Sequence, residues 1–301
     1  MKKNNGFIII IVLGFSLAFS FTVLFLNYKT KKYIDSVERY YENFEMERMY
    51  DLAFEIAKKI LKKDRNNYDY LKEGWAQSKS VSIENYNLEI IIRDENSKIN
   101  INKVIGEKGV TNQLLLDLLK NLFLICKYPS SLLDSLLDWI DEDNLERPMG
   151  AEYFYYSSLG FKNLPPNKPI KSLRELFLIK GYDEKVLIGK EDKKGLLNFI
   201  TIYSDDKINI NTCEREILNA MGFTNEEVDL ILAERENRPV EEPFLLKINK
   251  EVFLKNRNLL KYSSNYFRVF IKVKNKKGEE QNIEGIIKKD KDLELVKRGI
   301  L

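Results

Sequence analysis

Asp138, Asp141, Glu142, Asp143 and Glu152 fall within fifteen residues, in the segments DWIDED and GAE. Carboxylates crowded this way repel one another, and an all-oxygen donor set suits a hard cation such as Ca2+. Asp141, Asp143 and Glu152 stand at the first, third and twelfth positions of a calcium-binding EF-hand loop, with Arg147 placed to offer a backbone carbonyl at the seventh. Leu145 at the fifth position has no side-chain oxygen, and Glu146 replaces the glycine of the sixth. Spacing alone leaves two readings open. One is a cation site built on Asp138, Asp141, Asp143 and Glu152; the other is a solvated acidic helix end on which Asp138 and Asp141 merely share a face. A metal-assisted hydrolase is a third use of paired carboxylates, but these lie close together at one helix end with no evident substrate groove.

The composition removes most other chemistry. The 301 residues include no histidine, so no Ser-His-Asp or Cys-His nucleophile is available and no zinc site can use imidazole. Cys126 and Cys213 are 87 residues apart, which excludes a CxxC motif and leaves two buried free thiols as the simplest reading. With 44% apolar and 32% charged residues the chain is globular, and its length allows one large domain or two modest ones. Lys and Arg at 49 against Asp and Glu at 46 give +3, too balanced for a protein that coats nucleic acid.

The elements that position these residues begin with an anchor. Phe7 to Leu26 is a run of 20 residues without a charge, and a helix of that length spans roughly 30 Å, the thickness of a bilayer's hydrocarbon core. Lys2 and Lys3 precede it, so the positive-inside rule puts the start in the cytoplasm and the bulk of the chain across the membrane. The apolar run is too long for a signal-peptide core and has no small-x-small cleavage site after it. From Asn27 to Lys63 there is no proline or glycine, and one helix is expected from about Phe7 to Lys63.

The junction at Gly6 and Phe7 is more specific. A short basic leader ending in glycine, with phenylalanine opening the apolar helix, resembles a type IV prepilin cleavage site. The resemblance implies that a prepilin peptidase cuts between Gly6 and Phe7 and that Phe7 is then N-methylated. Pilins and most pseudopilins carry a glutamate at the fifth mature position, where this chain has Ile11. A carboxylate in the bilayer is costly unless paired, and minor pseudopilin K, a tip subunit, is the one that lacks it.

Beyond the anchor, Val81–Arg93 reads as β-structure with a turn at Asn85–Asn87, and Lys98–Asn102 as a short strand. Tyr266–Val273 and Gln281–Lys288 flank Asn275-Lys276-Lys277-Gly278, a hairpin loop. Between these strands the chain reads as helices at Leu114–Leu124, Leu132–Ile140, Ser172–Ile179, Glu214–Met221 and Asn225–Arg235. KININ occurs twice, at Lys98–Asn102 and Lys207–Asn211; it is either chance in a Lys-, Ile- and Asn-rich chain or an extended segment whose asparagine steers the next helix. Lys207–Pro243 resembles a helix-hairpin-helix, but Thr224 replaces the second glycine of the usual pair. Lys207–Val240 also carries four basic against seven acidic residues, a net −3 that repels phosphate. Ser172–Tyr182 looks like a second such hairpin without a glycine pair.

Together the prepilin-like start, Ile11, the long helix, DWIDED with GAE, ININT and YFRVFIKV resemble the minor pseudopilin K family of type II secretion systems. The resemblance implies an α+β fold: a long N-terminal transmembrane helix packed on an antiparallel pilin-like sheet, with a large all-α insertion of helix-hairpin-helix or SAM-like modules. Its expected divisions are a leader at 1–6, a membrane span at 7–26, a pilin-like domain at 27–102 and 262–301, and the insertion at 103–261. It further implies no enzymatic activity, structural Ca2+ in the helical domain, and assembly with minor pseudopilins I and J at the tip of the pseudopilus. There the complex primes assembly for export of folded proteins across the outer membrane. The implied location is the inner membrane, single-pass, with the bulk of the chain in the periplasm, and the implied contacts are lipid and the peptidase but not nucleic acid. The competing expectations are a membrane-anchored DNA-uptake protein and a minor pilin of a related type IV system.

Overall fold

The structure is a computed structural model and describes residues 4–106, 109–190, 193–290 and 292–300. Lys2 and Lys3, half of the expected leader's character, lie outside the described residues. The chain divides into two compact units, Met1–Ala53 and Phe54–Leu301.

Helix α1 runs over Asn4–Lys63 without a break, as the absence of proline and of glycine beyond Gly14 permits. In the first unit its apolar stretch is fully exposed: Phe7, Ile10, Phe15, Phe19 and Phe21 are each 66–74% accessible. Such a surface is stable only in lipid or against another apolar partner, and this helix is long and apolar enough to cross a membrane.

In the second unit, Phe54, Ala57 and Leu61 form a buried stripe at helical spacing on the last turns of α1. Strands β1 (Lys79–Ile83) and β2 (Tyr86–Asp94) follow, joined by a two-residue turn in which Glu84 has φ +53°. The insertion then opens with β3 (Ile99–Asn100), α2 (Gln113–Ile125), α3 (Ser130–Ile140) and α4 (Tyr153–Ser158). After a 3-10 helix at Leu173–Leu178 come α5 (Glu184–Leu187), β4 (Gly189–Lys190), β5 (Lys193–Lys194), β6 (Ile200–Thr201) and β7 (Ile208–Asn209). The insertion closes with α6 (Arg215–Met221), α7 (Asn225–Asn237), α8 (Glu242–Asn256) and β8 (Leu260–Lys261). The chain ends in β9 (Tyr266–Asn275), β10 (Glu280–Lys289) and β11 (Leu293–Ile300).

The main sheet has the order β1-β2-β9-β10-β11, antiparallel throughout. Alternation dictates its buried face: Leu88, Ile90 and Ile92 pair with Val273, Ile271 and Val269, and Ile271, Val269 and Phe267 pair in turn with Ile283, Gly285 and Ile287. All are buried, and each large aliphatic contributes about 1.5–3 kcal/mol. The ring of Phe54 lies over Gly285, where an added Cβ would come within 2.5 Å of it. The hairpin after β9 turns at Gly278, with φ +87°.

The insertion is mostly helical, around a core that includes Leu118, Leu119, Leu122, Leu133, Leu136, Ile217 and Leu218. It departs from the all-α expectation in several places, the antiparallel β4–β5 pair among them. Ser172–Ile179 is a 3-10 rather than an α-helix, and two-residue parallel pairings join β3 to β6 and β7 to β8. Strand β3 pairs with β6, so Lys98–Asn102, expected in the pilin-like domain, is hydrogen-bonded to the insertion. Its two ends meet: Asp94 pairs with Phe267, the Glu95 N–H donates to Tyr266 O at 2.9 Å, and Asn96 Oδ1 accepts from the N–H groups of Asn265 (3.0 Å) and Tyr266 (3.1 Å).

Candidate functional site

Asp138 and Asp141 sit on the last turn and C-cap of α3, while Glu152 is the N-cap of α4. The loop between them folds back over the helix end. Asp138 is fully buried and accepts from Ala151 N at 2.8 Å, from Arg147 N at 3.3 Å and from Arg147 Nη1 at 2.6 Å. Gly150 makes this possible: a Cβ there would stand 1.8 Å from Asp138 Oδ2. Asp143 Oδ1 caps its own turn, accepting from Leu145 N at 2.8 Å.

The loop brings one carboxylate oxygen each of Asp141, Asp143 and Glu152 within 4.8 Å of one another. Asp138 does not join them. Its oxygens are taken by Arg147 and the loop backbone, so it shapes the site instead of supplying a ligand. Arg147 also differs from expectation: its carbonyl accepts from Gly150 N (3.0 Å), and its guanidinium bridges Asp138 and Asp141.

Three oxygens here are buried without a partner: Asp141 Oδ1 and both oxygens of Glu152, a residue only 2% exposed. Burial, then repulsion from Asp138, Asp141 and Asp143, raises the Glu152 carboxyl to about 7, with Arg147 opposing. Burial also raises Asp141, against the lowering effect of Arg147. An uncompensated buried carboxylate is costly, and orphaned oxygens of Asp141 and Glu152 converging with an Asp143 carboxylate fit a hard, oxygen-seeking cation.

Two supports went unseen in the sequence. Lys180 Nζ donates to Gly150 O at 2.7 Å and lies 4.9 Å from the Tyr155 ring centre. Asn167 donates from Nδ2 to Asp143 O at 2.5 Å and to Asn144 Oδ1 at 3.0 Å, leaving its own Oδ1 buried and unpaired. Neither is signalled locally, since each is more than 20 residues from its partner.

The helical hairpin at Lys207–Pro243 turns at Gly222, with φ +108°, and α7 opens with a capping box. Thr224 Oγ1 accepts from Glu227 N (3.3 Å), and Glu227 Oε2 accepts from Thr224 N (2.9 Å). Two of the donors that such a hairpin offers to phosphate are thus met by its own side chains. Three of its four bases are engaged too: Arg215 with Asp229, Arg238 with Glu234, and buried Arg235 with the carbonyls of Ile210 and Cys213. Cys126 and Cys213 are both free, Cys213 buried and Cys126 only half-buried.

The repeated KININ is two copies of one device. In each, the first asparagine accepts from the N–H of the second (Asn100 from Asn102, 3.0 Å; Asn209 from Asn211, 2.9 Å). The second then clamps both backbone groups of one distant residue, Asn102 on Ile170 and Asn211 on Val240, each just after a proline. Asn100 caps the short 3-10 turn at Ile101–Lys103, but α2 is capped by Asn112 and α6 follows Glu214, so the second reading of the echo holds only in part.

A long apolar N-terminal helix thus precedes an antiparallel sheet, with a mostly helical insertion between the sheet's strands. Residues 97–190 match the family described as type II secretion system (T2SS), protein K. The structure is similar to a chain of the crystal structure of the GspK-GspI-GspJ complex from the type 2 secretion system of enterotoxigenic Escherichia coli, with a TM-score of 0.70 and 17% identity. The likeness covers 87% of this chain and 98% of that one, and shows a shared fold. No curated protein matches the chain.

Proposed function

We propose that this chain is the K-type minor pseudopilin at the tip of a type II secretion pseudopilus. It assembles with minor pseudopilins I and J and primes the filament that exports folded proteins across the outer membrane. The observation that carries this reading is the fold match to nearly the whole of a chain from a GspK-GspI-GspJ complex, together with the protein K domain at 97–190. The role is assembly, not catalysis. A prepilin peptidase cuts between Gly6 and Phe7, Phe7 is N-methylated, residues 7–26 anchor in inner-membrane lipid, and the rest lies in the periplasm. Asp141, Asp143 and Glu152 hold a structural Ca2+, which neutralises the three orphaned oxygens and ties the end of α3 to the start of α4. The helical hairpin serves as scaffold and not as a nucleic-acid contact, a reading supported by its −3 charge and its self-capped α7.

Co-expression with the I- and J-type pseudopilins of the same system, followed by affinity capture and size-exclusion chromatography, tests the role. A stoichiometric ternary complex is expected; failure to associate with either subunit refutes it. Duplex DNA binding at low salt would instead favour an uptake protein.

A further inference from the structure

A cavity of about 280 Å³ lies between the insertion and the sheet, lined among others by Ser172, Arg174 and Tyr203 from the insertion and by Arg268, Glu284 and Lys297 from the sheet. Arg268 is the unusual member. It is 93% buried, since only 7% of its surface is exposed. Its Nε bonds Glu95 and its Nη1 bonds Glu284 at 2.8 Å, while its guanidinium faces the Tyr203 ring at 5.6 Å. Its Nη2 is buried and has no acceptor. A guanidinium nitrogen left without an acceptor loses more than a neutral donor would. The exposed bases Arg174 and Lys297 line the same cavity.

We propose that this seam cavity binds an oxyanion, a carboxylate or phosphate-type group, held by Arg268 Nη2 with Arg174 and Lys297. A charge-assisted bond from its one open nitrogen to an oxygen of such a group is stronger than a neutral one. Glu95 and Glu284 fix the other two nitrogens, so the open donor is preset in direction. The same chemistry is available from a free anion or from an acidic side chain of a docked protein.

The full chain in detergent micelles, freed of calcium, would be titrated with inorganic phosphate and separately with polyglutamate, each against chloride at equal ionic strength. A saturable rise in melting temperature of about 3–6 °C at ten times Kd is expected for at least one probe. Phosphate alone acting would indicate a free anion; polyglutamate acting would indicate a protein-borne carboxylate. Arg268→Lys keeps the charge but removes Nη2 and should abolish the response. Because that change also touches Glu95 and Glu284, the double variant Arg174→Ala with Lys297→Ala provides an independent arm, expected to weaken binding at least about tenfold. No response beyond chloride with either probe, or an unchanged response in the double variant, overturns the site.

Discussion

Replacing Glu152 by glutamine removes a negative charge that the fold buries without a donor, so its effect should reverse sign with calcium. The raised carboxyl, about 7 against an ordinary 4.5, corresponds to about 3 kcal/mol of lost stability once both folded and unfolded states are ionised. The sign follows from proton binding. Between pH 4.5 and 7 the folded state holds the proton that the unfolded state has released, so raising pH destabilises the fold through that window and no further above it. In calcium-free buffer the difference between Glu152→Gln and the parent should therefore grow by about 3 kcal/mol from pH 4.5 to pH 8 in favour of the variant, or about 6–12 °C in melting temperature. A fixed offset of about 1–3 kcal/mol for burying an unpaired amide shifts both ends equally. Calcium at one hundred times Kd should then stabilise the parent by about 2.7 kcal/mol and the variant far less. Circular-dichroism melts at the two pH values, with EGTA or with calcium, read all four quantities. A difference that does not change with pH, or a variant that keeps the full calcium shift, refutes the reasoning.

Other outcomes follow from the same geometry. Gly150→Ala forces Asp138 out of its place and breaks its charge-assisted bond to Ala151 N, costing about 2–4 kcal/mol; denaturant unfolding should show it, together with weaker calcium binding. Gly285→Ala drives a methyl into Phe54 and within 2.9 Å of Lys297 O, so a loss of about 1–3 kcal/mol is expected in the same assay. Asn211→Ala orphans both backbone groups of buried Val240 and should cost about 2–4 kcal/mol, more than Asn102→Ala, whose clamp is only partly buried. Mass spectrometry of the processed chain should find N-methyl-Phe7 at the terminus, and Gly6→Val should leave the leader attached.

The parts legible in the sequence were those governed by local patterns. The charge-free run from Phe7, the alternation in Leu88–Ile92 and the glycine turn at Gly278 each specify their structure within a few residues. The acidic loop was legible in composition but not in division of labour. Which carboxylate is orphaned depends on Arg147 folding back over Asp138, and spacing does not encode that return. Helix α8 was missed because Asn249, at φ −156° and ψ 97°, breaks its pattern in the middle. Strand β11 was missed because an edge strand carrying Glu294, Lys297 and Arg298 shows little alternation. The asparagine clamps act across 68 and 29 residues, so only the repeat itself hinted at them.

The meeting of Asp94 with Phe267 has a topological consequence. Strands β2 and β9 are antiparallel neighbours, so everything between them is, to the sheet, the turn of a hairpin. A turn must only return its ends to one strand spacing, about 5 Å, and each doubling of a flexible loop's length adds only about 0.6 kcal/mol of closure entropy. The stem therefore places almost no constraint on the size of what it carries. The insertion can be enlarged, duplicated or exchanged at that hairpin while β2 and β9 keep their register.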